Sequence, residues 1–215
     1  STFVLNLWHN FARRSYMLPQ IQATGLAPVY LMPGVDSFAL KHSVMKEVMP
    51  MNTSLELDQF AASIAHIQIW REIVYNHLPF ALVLEDDVEF IDAKNVVPLL
   101  QSILMSVPSD WSVIFLDYES GNYWPHYEKE NDVHTQCTTA ISEYSKHHPD
   151  ELLVQLDGVC AAGTVSAFLL SNRGAEILVD HAIPIDYIAV DVLIRRLVVS
   201  GMMTAYAALP KVATT

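Results

Sequence analysis

The sequence predicts a layered α/β fold, with strands and helices alternating around one central sheet, and three observations carry that expectation. Phe80–Leu84 is an apolar run of strand-forming residues with no polar face, the signature of a strand covered on both sides. It stops at three consecutive carboxylates, Glu85, Asp86 and Asp87, and Trp111–Leu116 repeats the pattern with Asp117 at its end. Helix-length stretches lie before and between these runs, so strand, helix and strand follow one another as in βαβ units.

The other elements follow in order. Thr2–Leu7 reads as a first strand with a polar break at Asn6, and a helix then runs to about Thr24. Arg13 and Arg14, early in that helix, either meet a diphosphate near the strand's end or form a solvated helix face. Val29–Met32 is a second strand stopped by Pro33-Gly34; Asp36 beyond it suits either a turn or a contact to ribose or base. Lys41–Thr53 has no assignable pattern.

Leu57–Asn76 is the clearest helix, with Phe60, Ile64, Ile67, Trp70 and Val74 at three- and four-residue spacing behind an Asp58 N-cap. His66 beside that stripe is either a packed core residue or a ligand. Ala93–Val107 is a further helix, ended by Pro108. Tyr118–Asp150 reads as irregular, rich in Tyr, Trp and His, and suits an acceptor-binding or lid loop or a plain surface excursion. Leu152–Leu156 and Thr164–Leu170 are strands, Asn172–His181 a helix, and Tyr187–Val199 a helix with Asp186 as N-cap. Asp191 interrupts apolar residues in that last helix. Desolvation would ready it as a general base, or it simply pairs with Arg195 one turn on. Met202–Ala207 closes the chain as a strand.

With 215 residues, 52% of them hydrophobic and 17% charged, the chain has enough apolar material for one domain with a large core. The formal charge of −12 argues against a nucleic-acid or anionic-membrane binder, because no basic surplus exists to replace phosphate counterions. Any phosphate ligand should therefore arrive with a metal. The acidic trio fits that: Glu85, Asp86 and Asp87 would either hold Mg²⁺ or Mn²⁺ or form a solvated acidic turn. No apolar run reaches the roughly 18–20 residues of a membrane span. No signal-peptide pattern opens the chain. Cys137 and Cys160 permit at most one bridge, so the expectation is a soluble, cytoplasmic protein in a reducing compartment.

Several stretches together resemble glycosyltransferase family 25, the group of bacterial lipooligosaccharide sugar transferases and collagen galactosyltransferases. Val4-Leu5-Asn6-Leu7 with Arg13 and Arg14 is similar to the family's "INL…R" start, and Gly34-Val35-Asp36 to its "GVD" turn. Ala65–Trp70 followed by Pro79–Val88 resembles its "SH..LW … LILEDDV" block. Thr164–Ala175 with Pro184-Ile185-Asp186 and Asp191 resembles its "G..AYLISR.GA … PID..D" block. Where the family has "GC..SH", this chain has Ala61-Ala62-Ser63-Ile64-Ala65-His66, so only the His is kept. The chain stops soon after Pro210, as a piece of a longer protein would, and its unusual loop is compatible with a viral member.

The resemblance implies a GT-A-like (Rossmann-like) nucleotide-sugar-binding fold, with a mixed central sheet and helices on both faces. It implies an inverting, metal-dependent transfer of a hexose from a nucleotide sugar, UDP-glucose or UDP-galactose foremost, to a carbohydrate hydroxyl. On that reading Glu85 and Asp87 hold Mn²⁺ or Mg²⁺; Asn6, Leu7 and Asp36 contact base or ribose; Arg13 assists the phosphates; and His66 and Asp86 complete the donor side. Asp191 is the candidate base, with Asp186 or Asp117 in reserve. Two rival classes remain at this stage: a metal-dependent phosphohydrolase, and a non-catalytic nucleotide-sugar or glycan-binding domain.

Overall fold

The computed structural model describes residues 1–40, 56–118, 128–157, 160, 165–183 and 189–214. In chain order it contains β1 (Thr2–Asn6), α1 (Phe11–Thr24), β2 (Val29–Pro33), α2 (Leu57–Tyr75), β3 (Phe80–Glu85) and β4 (Glu89–Phe90). These are followed by α3 (Val96–Ser106), β5 (Val113–Phe115), α4 (Glu128–His147), β6 (Leu153–Leu156) and β7 (Ala167–Ser171). Last come α5 (Asn172–His181), α6 (Val190–Val199), β8 (Ala205–Ala208) and β9 (Ala213–Thr214). Seven strands form one mixed sheet in the order β2-β1-β3-β7-β5-β8-β6, and β4 pairs separately with β9.

Both faces of the sheet are covered, which is why its central strands lack a polar side. Along β3, Ala81 and Val83 enter a core with Phe60, Trp70 and Ile73 of α2, Leu178 of α5 and Ile194 of α6. The alternate residues Leu82 and Leu84 enter a second core with Met17 and Ile21 of α1 and Leu100 and Ile103 of α3. This is the period-two alternation of a pleated strand, with both sets apolar.

Strand direction gathers the polar residues at one edge. β1 runs parallel to both β2 and β3, with Leu5 beside Glu85 and Asn6 beside Pro33. The ends of all three therefore emerge together. β7 runs antiparallel to β3 and β5, so its beginning lies at that same edge: the Glu85 amide donates to the Ser166 carbonyl at 2.7 Å. Asp117, just past β5, joins them there and its carboxylate accepts from the Ser166 hydroxyl at 2.8 Å.

Several expectations need adjustment. The irregular reading of Tyr118–Asp150 is corrected over Glu128–His147, which is the 20-residue helix α4. Within its described side chains, Cys137 and Ile141 are the buried apolar anchors, so no broad stripe announced the helix. Helix α2 is capped by Glu56 rather than Asp58: the Glu56 amide donates to the Gln59 side chain at 3.2 Å, and Asp58 lies in the first turn. The last sheet strand starts at Ala205, because Gly201 turns left-handed (φ 74°) and the Met202 and Met203 amides reach back to the Leu197 carbonyl.

Cys137 and Cys160 are joined in a disulfide with Cα atoms 5.3 Å apart. Among the described residues no helix is long and apolar enough to cross a membrane. The unassigned stretch Lys41–Thr53 and the candidate Asp186 lie outside the described residues.

Candidate active site

The site begins where β1 ends. Asn10 caps α1, its side-chain oxygen accepting the Arg13 amide at 3.3 Å. That places two consecutive arginines on the first turn, where successive side chains diverge by about 100°. Arg13 turns toward the acids that follow β3: its Nη1 donates to Asp86 Oδ1 at 2.9 Å and to Asp87 Oδ2 at 3.0 Å. Arg14 turns the other way. Its Nε donates to Asn6 Oδ1 at 2.7 Å, its Nη2 to the Trp8 carbonyl at 2.6 Å, and the guanidinium stacks near the Trp8 and Phe11 rings. With its oxygen held, Asn6 presents its amide Nδ2 to Asp86 Oδ2 at 2.6 Å. Asp86 is thus buried and gripped on both oxygens. Of the two arginines, one compensates the acids and one positions Asn6.

Compensation is incomplete. Burial, together with the neighbouring Glu85 and Asp86 charges, pushes the Asp87 carboxyl above its ordinary range, although Arg13 pulls the other way. Asp87 Oδ1 is buried and has no hydrogen-bond partner among the described residues. Arg13, hydrogen-bonded to Asp86, has its own pKa raised. The donors here are all carboxylate oxygens, the class that hard divalent cations take, and for Asp87 Oδ1 the described residues supply no partner. Among the described residues no group of three or more His, Cys, Asp or Glu is arranged to hold a metal ion. Two carboxylates suffice for Mg²⁺-like ions whose other ligands are phosphate oxygens and water.

A cleft of about 430 Å³ opens over this edge. It brings together Asn6, Leu7, Arg13, Asp36, His66, Glu85 and Asp86. Its lining adds residues the sequence reading missed: His9, whose Nδ1 lies 3.6 Å from Asp36 Oδ2, and Phe38. Ala61, Ala62 and Ala65 line it as well. Those alanines share one face of α2, at i, i+1 and i+4, and their small size leaves room above the helix. That run of small residues amid large apolar ones was the available signal. His66 fits its reading as a packed core residue, 1% exposed and stacked on Phe168, with its Nε2 3.4 Å from Glu85 Oε1.

Other candidates stand apart. Asp87 lies beside the cleft through Arg13 but is not part of its lining. Asp191 is half-buried in the first turn of α6 and likewise is not among the lining residues. Asp117 is completely buried, with Lys211 Nζ at 2.9 Å from one carboxylate oxygen and the Ser166 hydroxyl on the other. Burial and the Asp117 charge push the neighbouring Tyr118 phenol up to about 12, so it stays protonated.

Compared with known proteins, residues 1–194 match the family model described as "Glycosyltransferase family 25 (LPS biosynthesis protein)". A search of curated proteins finds no match.

Proposed function

The chain belongs to glycosyltransferase family 25 and is a glycosyltransferase. From that premise we propose that it moves a hexose from UDP-glucose or UDP-galactose to a carbohydrate hydroxyl, with inversion at the anomeric carbon. The supporting observation is the cleft itself. Asn6, Arg13, Asp36 and His66 line it together with the acidic pair Glu85 and Asp86, beside an Asp87 oxygen that has no hydrogen-bond partner among the described residues.

In this reading Glu85 and Asp87 hold Mn²⁺ or Mg²⁺. A cation there offsets the charge that builds on the departing diphosphate. Arg14 keeps Asn6 in place, and Asn6 keeps Asp86 oriented. Arg13, 52% exposed and already at the mouth of the cleft, can shift a donor hydrogen bond from the acids to a phosphate oxygen. Asp36 and Leu7 face the ribose and base, and His66 steadies Glu85. Inversion requires a base on the far side of the sugar ring to take the acceptor proton. Asp191 is assigned that role, with Asp186 next. Asp117 suits it less, because its carboxylate is enclosed by Lys211 and Ser166. The acceptor side falls to residues 118–150 of a single domain. The Cys137–Cys160 bridge favours an oxidising compartment over the cytoplasmic one expected from cysteine count.

A thermal-shift panel of nucleotide sugars, each with and without Mn²⁺, tests the proposal. A stabilisation confined to one UDP-hexose and present only with metal is expected. Asp87→Ala should remove it, and Asp191→Asn should keep binding while abolishing transfer. Equal shifts for every donor, or none, would refute the assignment.

A further inference from the structure

We propose that Phe38 is the nucleobase platform of the cleft, stacking on the base of the nucleoside-diphosphate donor and setting affinity for that part of it. The inference rests on the donor reading above. Phe38 lines the cleft and yet is 98% exposed. A solitary exposed apolar residue is commonplace on a protein surface. Phe38 differs in how firmly its backbone is placed.

The ring stands on a single 3-10 turn, Ser37–Ala39, whose cap is Asp36. Asp36 Oδ1 accepts the Phe38 amide at 3.0 Å, and the Leu40 amide closes the turn on the Ser37 carbonyl at 3.3 Å. The other Asp36 oxygen faces His9 Nδ1, so one carboxylate both lines the cleft and holds the aromatic's backbone. The turn is also tied to β1. The Gly34 amide donates to the Asn6 carbonyl at 2.9 Å, and a Cβ at Gly34 would lie 3.2 Å from the Leu7 amide nitrogen. The close approach of the two strand ends therefore brings Phe38 to the cleft.

Strand order supplies the direction of the ligand. β2, which leads to Phe38, and β3, which leads to Glu85 and Asp86, flank β1 on opposite sides. Adjacent strands lie about 4.8 Å apart, so the strand ends that lead to the aromatic turn and to the acids are separated by about 10 Å. A nucleoside diphosphate bridges such a span with its base at one end and its phosphates at the other. Every base offers a π face, and loss of a base–aromatic stack weakens binding by about tenfold or more.

The test is isothermal titration of the wild type, Phe38→Ala and Phe38→Trp with UDP, GDP, ADP and inorganic pyrophosphate, each in Mn²⁺. Melting curves accompany each variant; an exposed ring predicts no change in melting temperature. Phe38→Ala is expected to weaken the preferred nucleotide about tenfold or more, leave pyrophosphate unchanged, and be rescued by Phe38→Trp. Unchanged nucleotide affinity in Phe38→Ala, or parallel loss of nucleotide and pyrophosphate, overturns the aromatic role while the donor reading stands. A wild type that binds none of the three nucleotides brings down the donor reading and this inference with it.

Discussion

Asp87 shows how a single carboxylate can be held in a poor environment by its neighbours. Burial and two neighbouring carboxylates raise its pKa, while the Arg13 guanidinium, which donates to it, lowers it. An unfolded Asp titrates near about 3.9. Between that value and the raised folded one, the native state keeps a proton that the unfolded state has lost. Stability contributed by this group therefore falls as pH rises through the window, and the deficit persists at neutral pH. Asp87→Asn should melt at a higher temperature than the wild type at pH 7, and the difference should vanish toward pH 4. Scanning fluorimetry across pH 4–8 in a chelator checks this. A lower melting temperature at pH 7 would mean that the Arg13 pair outweighs the repulsion.

At the scale of an element, α5 shows tertiary contact reversing local propensity. Gly174 lies in its first turn, where Gly→Ala would ordinarily gain about 1 kcal/mol of helix stability. A Cβ there, however, collides with the Ser112 carbonyl oxygen, which belongs to the backbone leading into β5 and cannot rotate away. The same junction is fastened by Ser171, whose hydroxyl accepts the Gly174 amide at 3.0 Å and donates to the Trp111 carbonyl at 2.9 Å. Gly174→Ala should therefore destabilise by about 2 kcal/mol, the range for overpacking, as read from urea denaturation. Stabilisation instead would show that α5 can slide on the sheet.

Considered as a whole molecule, the protein depends on residues beyond the family match, which ends at 194. Ala205–Ala208 is an interior strand of the sheet, between β5 and β6. Ala213 and Thr214 pair with Phe90 and Glu89, immediately after the acidic turn. Between them Lys211 reaches back to buried Asp117, with its ammonium 5.9 Å over the Tyr118 ring. Removing one partner of a buried pair is expected to cost about 3 kcal/mol, because the other charge is left enclosed. Lys211→Met should lose that much in chemical denaturation, and adding Asp117→Asn should recover most of it. A double variant no better than the single would mean that Lys211 stabilises mainly by packing.

The amino-acid order alone determined the α/β class, the strands of the seven-stranded sheet and helices α1, α2, α3, α5 and α6 though not the short β4 and β9, and the acids at the end of Phe80–Leu84. Each of these is encoded between neighbours a few residues apart, as a covered strand's unbroken apolarity or a helix's three- and four-residue spacing. Only tertiary structure decided that Arg13 faces the acids while Arg14 holds Asn6, that Phe38 reaches the cleft, and that Asp191 lies off its lining. It also joined Cys137 to Cys160 and made a helix of Glu128–His147. Those outcomes depend on which strands flank β1 and on contacts between residues far apart in the chain, and no local periodicity carries that information.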